Sequence, residues 1–266
     1  MNKPSTRIKV LKPKTLTNIQ INQITGIYLR HHHISEEDCQ KRIKTGFDKI
    51  VVLQKKDDDE IVGFFGVRLK FFMPQSFGRP VLALYMGQLY IEKIYRSHQP
   101  VHEGVVRILA KYKLCCPWLK IVIWGDALTF KPYLLIAQNF PEFYPHPDKQ
   151  TPDSFQQIFD YLGKVNYGSQ YDEETGCVTK TSKLMKDHVA PIPPRLLRHK
   201  YIGFYASKNK DYKKGHGILV MGHFSFKAFI NIAKKAYQQK KSAQGGSVFS
   251  LQFQKTKKVL SQQKAG

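Results

Sequence analysis

No stretch of the chain approaches the roughly 18 consecutive apolar residues that a membrane-spanning helix requires. Met1 to Lys14 is basic and lacks the apolar core of a secretory leader, so no leader is expected and a cytoplasmic protein is expected. Cysteine is scarce. Cys39, Cys115, Cys116 and Cys177 form no C-x-x-C, and the adjacent pair 115–116 is badly placed for a disulfide. The expectation is a reduced intracellular protein without structural zinc, each cysteine a small buried hydrophobe. Neither a Walker loop nor a serine nucleophile elbow is present, which removes the sequence signals for P-loop nucleotide hydrolysis and for α/β-hydrolase chemistry. Acid is scarce at one end: residues 200–266 hold Asp211 alone against 14 lysines and no arginine.

What is present is a basic, globular chain of 266 residues with 42% hydrophobic and 12% aromatic residues, enough for a large core. Net charge is +23, and it is uneven: +10 over residues 1–150, 0 over 151–199 and +13 over 200–266. Such a field attracts anions, whether nucleotides, acidic proteins, nucleic acid or anionic lipid. Lysine without arginine forks, with only Tyr212, Tyr237, Phe249 and Phe253 interleaved, suits unspecific attraction better than base stacking.

Patterning predicts a first strand over Thr6–Leu11 and a helix over Asn18–His31. A second helix follows, capped by Ser35, with Glu36, Glu37 and Asp38 in its first turn and Gly46 closing it. Strands are expected at Ile50–Leu53, at Ile61–Leu69 after a turn at Asp57–Asp59, and at Leu82–Ile94. Then come a helix over Pro100–Leu114, a buried strand over Leu119–Trp124 and a helix over Leu128–Gln138. A further helix is expected at Asp153–Leu162, opened by Thr151-Pro152, with 163–200 irregular. A strand at His216–His223 and a basic helix at Phe226–Gln239 complete the reading. The class is α/β with a mixed (α+β) sheet. The domains expected are 1–150, an α/β extension at 151–242 packed on it, and a basic tail at 243–266.

The most informative stretch is Leu89-Tyr90-Ile91-Glu92-Lys93-Ile94-Tyr95-Arg96-Ser97-His98-Gln99-Pro100-Val101, a strand that turns into a helix N-terminus, where backbone N–H groups can hold a pyrophosphate. The run Leu-Tyr-Ile-x-x-x-Tyr-Arg resembles the fourth-strand signature of the GNAT superfamily of N-acyltransferases, over roughly residues 5–145. The helix pair and strand meander before it agree, as do the strand and helix after it. The resemblance implies a GNAT-like acyltransferase domain that uses an acyl-CoA or acyl-carrier-protein thioester as co-substrate and no metal. It implies that Arg96, Ser97, His98, Gln99 and Val101 meet the donor phosphates, and that the backbone N–H of Ile91 polarises the thioester carbonyl. Gln99 and Val101 stand where the family has small residues, so the cradle is degenerate. Trp124-Gly125-Asp126-Ala127 and the helix after it resemble the family's next strand and helix, which makes Tyr133 the expected general acid. Leu84–Leu89 carries no carboxylate, leaving Glu92, His98 or His102 as the base.

The expected function is acyl transfer to an amine, either a small molecule or a peptide. A longer acyl chain is also open, as the aromatic segment Phe140–Pro147 suits an apolar pocket. The competing expectations are a catalytically silent module of this fold that binds nucleic acid or an acidic partner through its basic end, and an acetyltransferase of RNA or nucleoprotein.

Overall fold

A computed structural model describes residues 5–74, 78–98, 100–179, 186 and 191–244, except the side chains of 96–98, 100 and 239–244. The chain opens with β1 (Thr6–Leu11) and then α1 (Asn18–Leu29). Thr17 caps α1 in a reciprocal capping box with Gln20. In α2 (Glu36–Thr45) the Ser35 hydroxyl accepts from Asp38 N and three acids fill the first turn. Then follow β2 (Lys49–Lys55), β3 (Ile61–Phe72), β4 (Val81–Ile91), α3 (Pro100–Cys115), β5 (Lys120–Ala127) and α4 (Phe130–Asn139). The remainder comprises β6 (Phe143–Tyr144), α5 (Asp153–Tyr167), β7 (Cys177–Val178), α6 (Pro194–Leu197), α7 (Lys200–Lys208), β8 (Gly217–His223) and α8 (Phe226–Gln244).

Among the described residues, eight strands form one mixed sheet of order β1-β2-β3-β4-β5-β8-β6, with β7 also on β8. The β1–β4 meander is antiparallel, β4 and β5 run parallel, and β8 returns antiparallel to β5. This is the mixed α/β sheet that the sequence leads one to expect. The strands are buried on both faces, so they read as continuous apolar runs such as Ile50–Leu53 and Ile121–Trp124. Alternation divides their side chains. Ile50, Val52, Phe64, Ala83, Tyr85, Val122 and Trp124 pack under α1, α2 and α5. Val51, Phe65, Leu82, Leu84, Ile121 and Ile123 pack under α3, α4, α7 and α8.

Several expectations need correcting. The division at residue 150 has no counterpart in the sheet: β8 pairs with both β5 and β6, and Ile218, Val220, Phe224 and Ile232 share one core with α3 and α4. The strand expected to reach Ile94 ends at Ile91, where Lys93–His98 winds into a 3-10 helix. Pro152 is the N-cap of α5 rather than a first-turn residue, and α5 runs on to Tyr167. The interval 163–200, expected irregular, holds the end of α5, β7 and α6; α7, absent from the reading, follows it. Phe143 and Tyr144 form β6 and are buried, not pocket-lining. Cys39 is buried as expected, but Cys115 is exposed. Residues 245–266, most of the expected tail, lie outside the described residues. Among the described residues no helix is long and apolar enough to cross a membrane.

Candidate active site

The sheet opens between β4 and β5. Their parallel pairing runs from Val81↔Lys120 to Tyr85↔Trp124 and stops there. Beyond that point β4 continues on β3 to Ile91, while β5 continues on β8 to Ala127. A bulge sets the opening: Phe64 and Gly66 oppose Tyr90 and Gly87, so β4 carries one extra residue there, and Gln88 takes a left-handed φ of 56°. Gly125 fits this place because a Cβ would lie 3.0 Å from the Met86 carbonyl. Gly87 is required for another reason. The Tyr85 ring lies back along the strand, 2.4 Å from where a Gly87 Cβ would stand.

That ring delivers the Tyr85 hydroxyl to Asp126, donating to Oδ1 at 2.7 Å. Tyr167, at the end of α5, also hydrogen-bonds Asp126. Arg68 places its guanidinium carbon 4.2 Å from the Tyr85 ring centroid. Tyr28 of α1 hydrogen-bonds Gln88, stacks on His32 at 4.5 Å and meets Tyr90 edge-on at 5.8 Å. Tyr90 Oη lies 2.8 Å from His32 Nδ1, and His31 stacks on the other side of Tyr90. Burial pushes the Tyr28 phenol up to about 12 and the His32 imidazole down to about 4. Burial, then the Asp126 charge, holds the Tyr85 phenol well above its ordinary value. These phenols are therefore neutral donors at neutral pH. Arg42 Nε, Arg68 Nε and Gln88 Nε2 are buried with no hydrogen-bond partner.

The opposite face is apolar. From the first turn of α3 to the opening runs a channel lined by Val101, His102, Val105, Met86, Ile123, Leu135, Ile136 and Asn139. Phe140 and Ile232 of α8 complete its lining, and its volume is about 20 Å³. Beside it, between the end of α4 and α8, lies an open pocket of about 280 Å³ lined by Gln138, Asn139, Phe140, Pro141, Lys234 and Lys235 among others. Asn139 Oδ1 lies 2.9 Å from His102 Nε2 and accepts from Lys235 Nζ at 2.7 Å.

The residues anticipated for the site are not all brought together. Tyr133 is fully buried and its hydroxyl donates to the Pro145 carbonyl at 2.8 Å, amid Phe143, Phe204 and Tyr205. Burial holds that phenol well above its ordinary value. Glu92 sits past the bulge, ion-paired to Arg30 at 3.0 Å. Ile91 lies in the β3–β4 ladder opposite Gly63, not where the strands part; that place belongs to Met86–Leu89. Val101 is buried and lines the channel. Gln99 and the side chains of Arg96, Ser97 and His98 lie outside the described residues. No group of three or more His, Cys, Asp or Glu side chains among the described residues could hold a metal ion. Asp126 was passed over. Its signal was an acid ending the otherwise apolar run Ile121–Trp124, but only the tertiary fold puts Tyr85 and Tyr167 on it.

The fold makes the chain an α/β protein whose mixed sheet opens between two parallel strands. No family model matches it, and neither does any curated protein. Solved structures similar to it include a probable N-acyltransferase from Enterococcus faecalis, at 12% identity and TM-score 0.36 over 51% of this chain and 33% of that one. A Trypanosoma brucei acetyltransferase is similar at 12% identity and TM-score 0.36, over 56% and 98% of the two chains. The GNAT-family N-acetyltransferase YhbS from Escherichia coli, solved with CoA, is similar at 14% identity and TM-score 0.31, over 46% and 62%. The chain thus spans about a third of the Enterococcus protein's length.

Proposed function

We propose that the protein is an N-acyltransferase that moves an acyl group from a pantetheine thioester, of CoA or a carrier protein, to the amine of a small molecule or peptide. The observation that carries this reading is Asp126, held by Tyr85 at 2.7 Å where β4 and β5 part. The donor phosphates lie at the start of α3, in the segment Arg96–Val101, where helix N–H groups favour an anion. The pantetheine arm follows the apolar channel from Val101 to Met86, and the thioester carbonyl reaches the opening beside the Met86–Leu89 backbone.

The acceptor enters from the polar face. Asp126 draws in the cationic amine, the ammonium gives one proton to solvent water, and the neutral amine attacks the carbonyl carbon. As the C–N bond forms, the nitrogen becomes acidic and Asp126 accepts its second proton; the C–S bond then breaks. A thiol ionises near pH 8.5, so the departing thiolate demands no strong acid. Tyr85 and Tyr167 stay neutral and hold Asp126 in one orientation. The test is thiol release from acetyl-CoA and longer acyl-CoAs over a panel of amines. Turnover dependent on an amine supports the reading; absence of turnover and of any thermal shift with CoA thioesters refutes it.

One observation favours a second reading. Ile232 fills the channel to a residue of about 20 Å³, as it would in a silent module whose basic end binds nucleic acid or an acidic partner. That module would bind nucleic acid with a steep salt dependence and ignore CoA.

A further inference from the structure

Resting on the acyl-donor reading, we infer that α8 is a self-supplied plug of the donor channel, and that donor and helix occupy that channel alternately. The channel joins the two ends a donor must span. At one end are Val101 and His102 in the first turn of α3; at the other are Met86 and Ile123, where β4 and β5 part. Between them the lining is mostly apolar, and past α4 it is completed by Phe140 and by Ile232 of α8, itself 2% exposed. A pantetheine arm is an extended chain far larger than the remaining 20 Å³, so arm and Ile232 side chain exclude one another.

Features on either side of α8 suit it to leaving without unravelling the sheet. β8 precedes it and is secured independently: Phe224 is fully buried, and its N–H donates to the Ile121 carbonyl at 2.9 Å. Helix α8 starts just after this anchor, so Ser225 is a natural hinge; its hydroxyl accepts from Ala228 N at 3.2 Å. Among the described side chains of the helix, Ala228 and Ile232 alone are fully buried, while Phe226, Ile230 and Tyr237 are exposed. Phe229 adds a partly buried ring against Phe224, and a polar attachment sits at the rim. Lys235 Nζ donates to Asn139 Oδ1 at 2.7 Å and to the Gln138 carbonyl at 3.3 Å, and Asn139 in turn meets His102 in the channel wall. The 280 Å³ pocket beside this latch gives the helix room at one side. A latch made of one ammonium and two oxygens, rather than more apolar contact, is a contact that water can replace.

Two measurements on the full-length chain test this. The first is calorimetric titration of CoA and acetyl-CoA into the wild type, Ile232→Ser and Lys235→Met. If the open state is the minority, opening it raises apparent affinity in proportion, so both variants bind about tenfold or more tightly than wild type. The second is hydrogen exchange of wild type with and without saturating CoA: amides of 226–238 exchange faster when CoA is bound, while those of β8 do not. CoA binding by wild type with α8 protection unchanged, or with equal affinity in Lys235→Met, overturns the plug and leaves the acyl-donor reading intact. Failure of every folded form to bind CoA or acetyl-CoA overturns the acyl-donor reading and the plug with it.

Discussion

The two mouths of the β4–β5 opening are built from opposite materials. On the α1, α2 and α5 side stand Asp126, Tyr85, Tyr167, Gln88, Tyr28 and His32, tied by directional hydrogen bonds. On the α3 and α4 side stand Val101, Val105, Ile123, Leu135 and Ile136, and a piece of the same chain fills the space. A buried polar group without its partner is costly, so a polar mouth keeps its geometry and cannot be stopped up by an arbitrary side chain. Apolar contact is non-directional, so any greasy residue of suitable size closes an apolar mouth. Specificity and chemistry belong with the first, and access with the second.

The comparison breaks first at Asp126. Asp126→Asn keeps an acceptor for Tyr85 but removes the charge, and kcat should fall about 10²–10⁴-fold with CoA affinity unchanged, read by thiol release and calorimetry. Activity retained within about threefold would strip the polar mouth of its chemical role. The next effect is on stability. His32 has a folded pKa of about 4 against 6.5 unfolded, so the unfolded chain binds more protons between those values. Stability from the neutral imidazole is therefore whole above about pH 6.5 and is lost as pH falls towards 4, by up to about 3 kcal/mol. Denaturant melts across that window should show this slope, and His32→Gln should flatten it. At the donor end, Arg96→Ala should weaken CoA binding by about 1.5–3 kcal/mol if it makes a charged hydrogen bond to phosphate; unchanged calorimetry would remove the motif from the site. The smallest effect sharpens the contrast between site and core. Tyr133→Phe loses its bond to the Pro145 carbonyl and should cost about 1–2 kcal/mol of stability, while kcat stays within about threefold.

Periodicity and capping made much of the frame legible. Ser35, the acids after it and Gly46 mark α2 to the residue, because a helix end is a local hydrogen-bonding problem with a local solution. The β4-to-α3 passage was legible for the same reason, through Arg96 and the helix start at Pro100. The chemistry was less so. Tyr133 and Tyr85 are both tyrosines beside apolar residues, and nothing within a few positions separates one that donates to Pro145 from one that donates to Asp126. A bulge at Gln88, where β4 gains a residue against β3, is set by pairing with a distant strand and leaves no motif. The short β6 escaped because it exists as a partner of β8, and β7 because two residues suffice to join β8 on one side and bridge Tyr171 on the other.

That dependence on β8 has a consequence for how the chain is made. The outer edge of β5, from Val122 to Ala127, finds its partner only in 218–223, after all of 128–217 has been laid down. The β1–β4 meander needs only short-range closure, whereas the β5–β8 pairing must close a long loop and comes slowly by comparison. Until then Ile123 and Trp124 lie along a bare, apolar strand edge, the kind of edge that recruits other chains. A fragment ending anywhere before Gly217 keeps that edge for good. Cut at residue 150, where composition suggests a boundary, this protein would have an adhesive half-sheet in place of a domain.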